Sequence, residues 1–404
     1  MARSPSRQRR EVDPLSPEAS PDLPRPGTAD SILALSLAGG GARAAYQVGV
    51  LRYIGKRRPR LAVPILTGVS AGAINAVFLA SHTGDFRTRT EALGDKWCAL
   101  TIDRVFRADF ASMSRTALRW LLTLISGGRR IAPEARSLLD TSPLRRFLDA
   151  CIDSRGIAAN LESGALHALA VSVTAYDTGQ TTTFVDGAPG TEMWERPLRA
   201  SVRGQITVDH VMASSALPIL FPAVGIGGRY YGDGSIRHPA PLAPAVHLGA
   251  GRIIAVSARY PRTAAEARLE IEPGYPPPAR IIGLMFNSIF LDTLDADAAR
   301  LKRINRTLSH IPEDVRRDYP LRPIDLMVIR PSRDLGKLAL EYQDNLPRTL
   351  RFFVKGLGTQ RGGNADFISY LLFDPGYIGR LQQLGEEDAE RQWPSISKFL
   401  GGGE

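Results

Sequence analysis

The stretch from residue 32 to residue 81 limits the possible folds more than any other part of the chain. Ile32–Leu37 is a short apolar run that reads as a buried strand, and it runs into Gly39-Gly40-Gly41. After the glycines, Ala45, Val48, Leu51 and Ile54 recur at helical spacing, which predicts a helix over Ala42–Lys56. Pro64–Val69 is a second apolar run, Ser70 follows it, and Ala71–Ser81 reads as another helix. Strand, glycine turn, helix, strand, tight turn, helix is the order of an α/β fold with a mainly parallel sheet.

Further on, helical patterns cover Phe86–Leu100, Ser114–Ile125, Pro143–Cys151, Val208–Ser214 and the long span Arg280–Leu308. Strands are expected at Leu169–Thr174, Thr181–Val185, Tyr230-Tyr231, Ile253–Ser257 and Ile324–Ile329. From Arg348 the chain reads mostly helical. The Pro-rich stretch Pro273–Pro278 marks the expected boundary between a catalytic core, 31–272, and a largely helical C-terminal section, 273–404. Residues 1–30 are rich in Pro, Ser and Arg and lack the apolar core of a secretory signal, so a disordered basic tail is expected. No apolar run reaches the roughly 18 residues of a membrane-spanning helix. The expectation is therefore a cytoplasmic chain, soluble or attached peripherally to a membrane.

The two cysteines, Cys98 and Cys151, have no CxxC spacing, which argues against a disulfide framework and a cysteine-built zinc site. No clustered ligand spacing points to a metal. Against 41 acidic residues stand 51 Lys and Arg, giving a net charge of +10. Such a surface suits anionic lipid or nucleic acid. No basic run is interleaved with aromatics, so nucleic acid is not expected as a partner.

Gly68-Val69-Ser70-Ala71-Gly72 matches GxSxG between an apolar strand and an Ala-rich helix. A Ser at such a junction makes a sharp turn, and the flanking glycines let neighbouring backbone pass without a Cβ clash. The hydroxyl then stands at the carboxyl end of the sheet, over a helix N-terminus that favours negative charge. Gly39-Gly40-Gly41-Ala42-Arg43-Ala44 is a second constellation: its glycines expose N–H groups that can hold an oxyanion. The same residues fit the relaxed dinucleotide fingerprint through Gly39, Gly41 and Ala44. That rival needs an acidic residue about 20 positions on, at the end of the next strand, where Ser70 stands. A phosphate-binding loop would need a GK[ST] that does not follow. A third motif, Tyr231-Gly232-Asp233-Gly234-Ser235, sets a carboxylate between glycines; alone it is a common turn.

In this order and combination the three motifs resemble the patatin-like phospholipase family. Ser214-Ser215-Ala216-Leu217-Pro218-Ile219-Leu220-Phe221-Pro222 is similar to its segment ahead of the Asp strand, and Ala45–Leu51 to its first helix. The resemblance covers about Ser31–Pro241. It implies a three-layer α/β/α core and a Ser–Asp dyad, with Ser70 matching the nucleophile and Asp233 the base. Gly39, Gly40 and Gly41 match the oxyanion loop, Arg43 the basic residue of that motif, and Gly68, Gly72 and Gly234 the supporting glycines. Two positions depart from the pattern: Ala44 stands where Gly is usual and Ser235 where Gly or Ala is usual.

The implied reaction is cleavage of a lipid acyl ester, with phospholipid or lysophospholipid as substrate and no cofactor. Ser70 attacks the carbonyl as Asp233 takes its proton, and water activated by the same Asp233 then releases the fatty acid from the acyl-enzyme. Among the histidines, His238 lies nearest a motif but reads as a loop residue without a catalytic part. The alternative is a non-catalytic lipid-binding or regulatory module that keeps the fold. Its expected mark is a lost Ser, Asp or glycine loop, and all three are present. Trp120–Ile125, apolar on nearly every face and followed by Arg129-Arg130, reads either as a buried helix or as a segment docking at an anionic surface.

Overall fold

A computed structural model describes residues 32–107, 137–263, 265–266, 277–316, 321–356 and 365–402. Its strands are β1 (Leu33–Leu37), β2 (Ile65–Val69), β3 (Ala168–Ala175), β4 (Thr181–Gly187), β5 (Glu195–Arg196), β6 (Arg199–Arg203), β7 (Val224–Ile226), β8 (Arg229–Asp233), β9 (Arg252–Val256) and β10 (Asp325–Ile329). They form one sheet in the order β10-β9-β1-β2-β3-β4-β6-β5, with β8 paired to β3 and β7 to β8. Pairing is parallel from β10 through to β3. It turns antiparallel between β3 and β4 and between β3 and β8.

The alternation of side chains along the strands creates two cores. Leu33, Leu35 and Leu37 of β1, and Ile254 and Val256 of β9, face one of them. Ala34 of β1, and Ile253 and Ala255 of β9, face the other. The first core is closed by α1 (Ala45–Arg57), α2 (Ala71–Ser81), α3 (Phe86–Cys98) and the helix Pro375–Arg391. The second is closed by the helices Ala243–His247 and Asp292–Ser309. A sheet covered on both faces is the three-layer α/β/α arrangement that the family resemblance implies, and its mainly parallel strands match the α/β class read from the strand–helix order.

The C-terminal section enters this core directly. β10 adds to β9, matching the apolar run expected at Ile324–Ile329. The helix Pro375–Arg391 lies along α1 with two glycines at the contact: a Cβ on Gly385 would come 3.0 Å from the Gly49 Cα. Arg52 and Lys56 of α1 both pair with Glu386 at 3.0 Å.

Local differences from the sequence reading have physical causes. The helix expected from Ala42 begins at Ala45, after a 3-10 turn over Gly41–Ala44, because Gly41 turns the chain at φ 56°. The span Arg280–Leu308 divides into Pro278–Phe290 and Asp292–Ser309. Leu291 breaks it at φ −119°, which lets both Phe290 and Leu291 bury. Asp292 and Asp295 then open the second helix, where Asp295 pairs with Arg259 and Arg330. β5, β6 and β7 are short, and no strand is expected there from the sequence. No helix among the described residues is long and apolar enough to cross a membrane. The segment Ser114–Ile125, the pair Arg129-Arg130, the stretch Pro273–Pro276 and residues 1–30 lie outside the described residues.

Candidate active site

β2 ends at Val69 and α2 begins at Ala71, so Ser70 alone makes the turn between them. It does so at φ 55°. A non-glycine residue in such a conformation costs about 1 to 3 kcal/mol and persists only where its surroundings hold it. Two features do so. The Ser70 N–H donates to Ser214 Oγ at 2.9 Å, and Ser214 Oγ donates to the Ser172 carbonyl at 2.7 Å. The strand and helix also pass too closely for side chains at the flanking glycines. A Cβ on Gly68 would lie 2.5 Å from the Gly72 carbonyl oxygen, and one on Gly72 would meet the carbonyls of Leu37 and Ala38.

Asp233 reaches the same place from the opposite direction. β2 runs parallel to β3 as far as the pair Val69–Ser172. β8 runs antiparallel to β3 and ends with Asp233 opposite Val173. The ends of β2 and β8 therefore converge on one edge of β3. The Asp233 backbone is fixed by Thr174 Oγ1, which donates to its carbonyl at 2.9 Å, and by its own N–H donating to the Ala216 carbonyl at 3.0 Å.

The Asp233 side chain is fully buried. Its Oδ1 accepts from the Ser235 N–H at 2.9 Å. Its Oδ2 closes no hydrogen bond, and neither does the Ser235 hydroxyl. Burial pushes the carboxyl up from 3.8 to about 7, while the Ser70 hydroxyl and Ser235 pull it partway back.

The glycine loop lies against this pair. A Cβ on Gly39 would stand 2.8 Å from Ser235 Oγ and 3.1 Å from the Ser70 Cβ. Among the described residues, the N–H groups of Gly39, Gly40 and Gly41 donate to no protein acceptor. Arg43 is engaged elsewhere. Its guanidinium donates to Ser369 Oγ at 2.6 Å, pairs with Asp366 at 2.7 Å and stacks on the Tyr370 ring at 4.5 Å. The loop ahead of α1 thus lies beside Ser70, while its basic residue ties it to the helix Ala365–Leu371.

An apolar cavity of about 30 Å³ opens beside Ser70, walled by Ile74, Trp97, Leu100, Leu144, Leu217 and Phe221 among others. The sequence reading named none of these as site residues. Trp97, Leu100 and Leu144 lie on stretches that carry only a helical pattern, and their convergence on Ser70 depends on tertiary packing. Ser214 sits in a segment singled out for its resemblance, but its bond to Ser70 N–H has no sequence signal. No histidine among the described residues hydrogen-bonds to Ser70 or Asp233. His238 is buried, and burial followed by the charge of Arg199 lowers its ring to about 4, so it is neutral at pH 7.

Three solved structures align over most of the chain at low identity. VipD from Legionella pneumophila is 12% identical, with 87% of this chain and 67% of that one covered at a TM-score of 0.33. The human GIVD cytosolic phospholipase A2, bound to methyl gamma-linolenyl fluorophosphonate, is 12% identical with a TM-score of 0.41; 92% of this chain and 59% of that one are covered. ExoU of Pseudomonas aeruginosa, in complex with SpcU, is 14% identical, with 92% and 78% covered at a TM-score of 0.28. The chain thus spans about three fifths of the human phospholipase. No curated protein sequence matches it. A family model described as patatin-like phospholipase matches residues 35–246, from β1 to the helix after Asp233. That span exceeds half of the chain and contains the glycine loop, Ser70 and Asp233, and the chain belongs to the patatin-like phospholipase family.

Proposed function

We propose that this protein hydrolyses acyl esters of lipids with Ser70 as nucleophile and Asp233 as its general base. Family membership supports lipid ester hydrolysis in general. The observation that carries the residue assignment is the meeting of a strained Ser70 with a buried carboxylate whose Oδ2 has no donor. A base works best when its pKa lies near the working pH, and burial brings Asp233 to about 7.

In the proposed reaction, Asp233 takes the Ser70 proton as Oγ attacks the ester carbonyl. The tetrahedral oxyanion is held by backbone N–H groups of Gly39, Gly40 and Gly41. The protonated Asp233 then gives its proton to the leaving alcohol, and the acyl-enzyme forms. Water, deprotonated by the same carboxylate, releases the fatty acid. The apolar wall of Ile74, Trp97, Leu217 and Phe221 receives the first part of the acyl chain. The net charge of +10 suits phospholipid or lysophospholipid with an anionic headgroup or in an anionic surface.

A fluorophosphonate probe tests the assignment directly. It is expected to label the parent at Ser70, found by peptide mapping, and to leave Ser70→Ala unlabelled. Ser70→Ala and Asp233→Asn should each lower hydrolysis of a short-chain p-nitrophenyl ester by about 10³-fold or more. Near-parent activity in Asp233→Asn would overturn the dyad.

A further inference from the structure

One buried polar chain behind the elbow has no part in the reaction as described above. Gln47, on α1, is fully buried. Its Nε2 donates to the Ala38 carbonyl at 2.7 Å and to the Val256 carbonyl at 3.3 Å. Its Oε1 accepts from Asn75 Nδ2 at 3.1 Å. Asn75, also fully buried on α2, accepts from Trp97 Nε1 at 2.7 Å through its own carbonyl. Trp97 is a wall of the cavity beside Ser70. The hydrogen bonds thus run without a gap from that wall, through Asn75 and Gln47, to the carbonyl of the residue before Gly39.

That endpoint matters because a peptide unit is planar and trans. The Ala38 carbonyl and the Gly39 N–H belong to one unit and point in opposite directions. Whatever fixes the carbonyl fixes the N–H. Gly39 is a glycine beside Ser70 whose N–H has no acceptor among the described residues, and glycine offers little steric resistance to rotation of that unit. A donor can stabilise a developing oxyanion only if it is aimed before the charge appears.

We propose that Gln47 is a positioning residue: by holding the Ala38 carbonyl it aims the Gly39 N–H at the oxyanion, and Asn75 and Trp97 brace it. This inference rests on the Ser70 reading given above. It predicts a loss confined to the chemical step, because the ester carbonyl of the ground state gains less from the N–H than the oxyanion does.

The test uses the full chain and two variants, Gln47→Met and Trp97→Phe, with melting temperatures to identify folded protein. Gln47→Met keeps the length of the side chain and removes its donors. Its expected kcat on a short-chain p-nitrophenyl ester is about 10- to 100-fold below the parent, with KM within about twofold. Trp97→Phe keeps an aromatic ring in the cavity wall and removes only the N–H, so it remains informative if Gln47→Met does not fold. Its expected kcat is about three- to tenfold below the parent, again at unchanged KM. Parent-like kcat in either folded variant, or a change in KM alone, overturns the proposal. Fluorophosphonate labelling of the parent separates the two levels. A parent labelled at Ser70 alongside parent-like variants sinks only the role of Gln47, whereas an unlabelled parent sinks the Ser70 reading and this proposal with it.

Discussion

Val69 and Asp233 occupy consecutive rungs on one edge of β3, Val69 opposite Ser172 and Asp233 opposite Val173. One strand arrives parallel and the other antiparallel, so their carboxyl ends face each other. The residue after Val69 is Ser70. The approach of the two side chains is therefore set by strand register, and it needs no long loop to bring them together. Register in a buried sheet is strongly specified, since a slip of one residue would move every side chain to the opposite face and exchange the sets that fill the two cores.

This origin makes the elbow sensitive to small additions. Gly72→Ala would push a methyl group into the carbonyls of Leu37 and Ala38, which are backbone atoms of β1 and of the residue after it. The Leu37 carbonyl cannot move without disturbing the pairing of β1 with β2 and β9, and the Ala38 carbonyl is held by Gln47 Nε2 at 2.7 Å. The expected loss of stability is about 3 kcal/mol or more. Urea unfolding of the variant against the parent measures it; a loss below about 1 kcal/mol would show that the contact relaxes freely.

Ser214 offers a gentler probe of the same turn. Ser214→Ala leaves the buried Ser70 N–H without its acceptor and the Ser172 carbonyl without its donor. An unsatisfied buried group of this kind costs about 1 to 3 kcal/mol. With the φ 55° conformation of Ser70 less firmly held, kcat should also fall by about tenfold. Parallel measurement of unfolding free energy and kcat checks both halves; a stability loss with parent kcat would separate Ser214 from the nucleophile.

Much of this was legible from residue order alone. The alternation of apolar runs and glycine turns over residues 32–81 is enough for the α/β class, because the motifs and the hydrophobic periods agree there. Ser70 and Asp233 are 163 positions apart, and their meeting depends on the strands before and up to them both pairing with β3, which no local pattern encodes. The resemblance supplied it instead. Arg43 shows the limit of that route. Its position in the glycine motif suggests the oxyanion, yet its guanidinium turns to Asp366, Ser369 and Tyr370. Those partners lie more than 300 residues downstream, and a buried cation takes the nearest carboxylate and aromatic face on offer.

Histidine gives a prediction with a small expected effect. His238 lies five residues after Asp233 in the sequence, but its ring is buried, neutral and bonded to neither Asp233 nor Ser70. His238→Ala should lower kcat/KM by less than about tenfold, or roughly 1.4 kcal/mol. A loss matching that of Asp233→Asn would mean that the ring takes part in proton transfer.

The carboxyl of Asp233 should leave its mark on both activity and stability as pH changes. In the proposed reaction the base acts in its ionised form, so kcat/KM should fall as pH drops through about 7, the value to which burial raises it. Stability should move the other way. The folded-state value, about 7, lies above the ordinary 3.8, so folding favours the protonated form. The stability this contributes is complete below about pH 4 and is lost progressively as pH climbs to about 7, where the buried carboxylate becomes charged. Asp233→Asn keeps the shape, cannot ionise and escapes that loss. It should therefore stabilise the protein more at pH 8 than at pH 5, by a difference of about 2 kcal/mol, while its activity is lost at both. Denaturant unfolding of parent and variant at the two pH values measures the difference. Equal stabilisation at pH 5 and pH 8 would mean that Asp233 titrates like an ordinary carboxylate, and the argument for a base poised near neutrality would go with it.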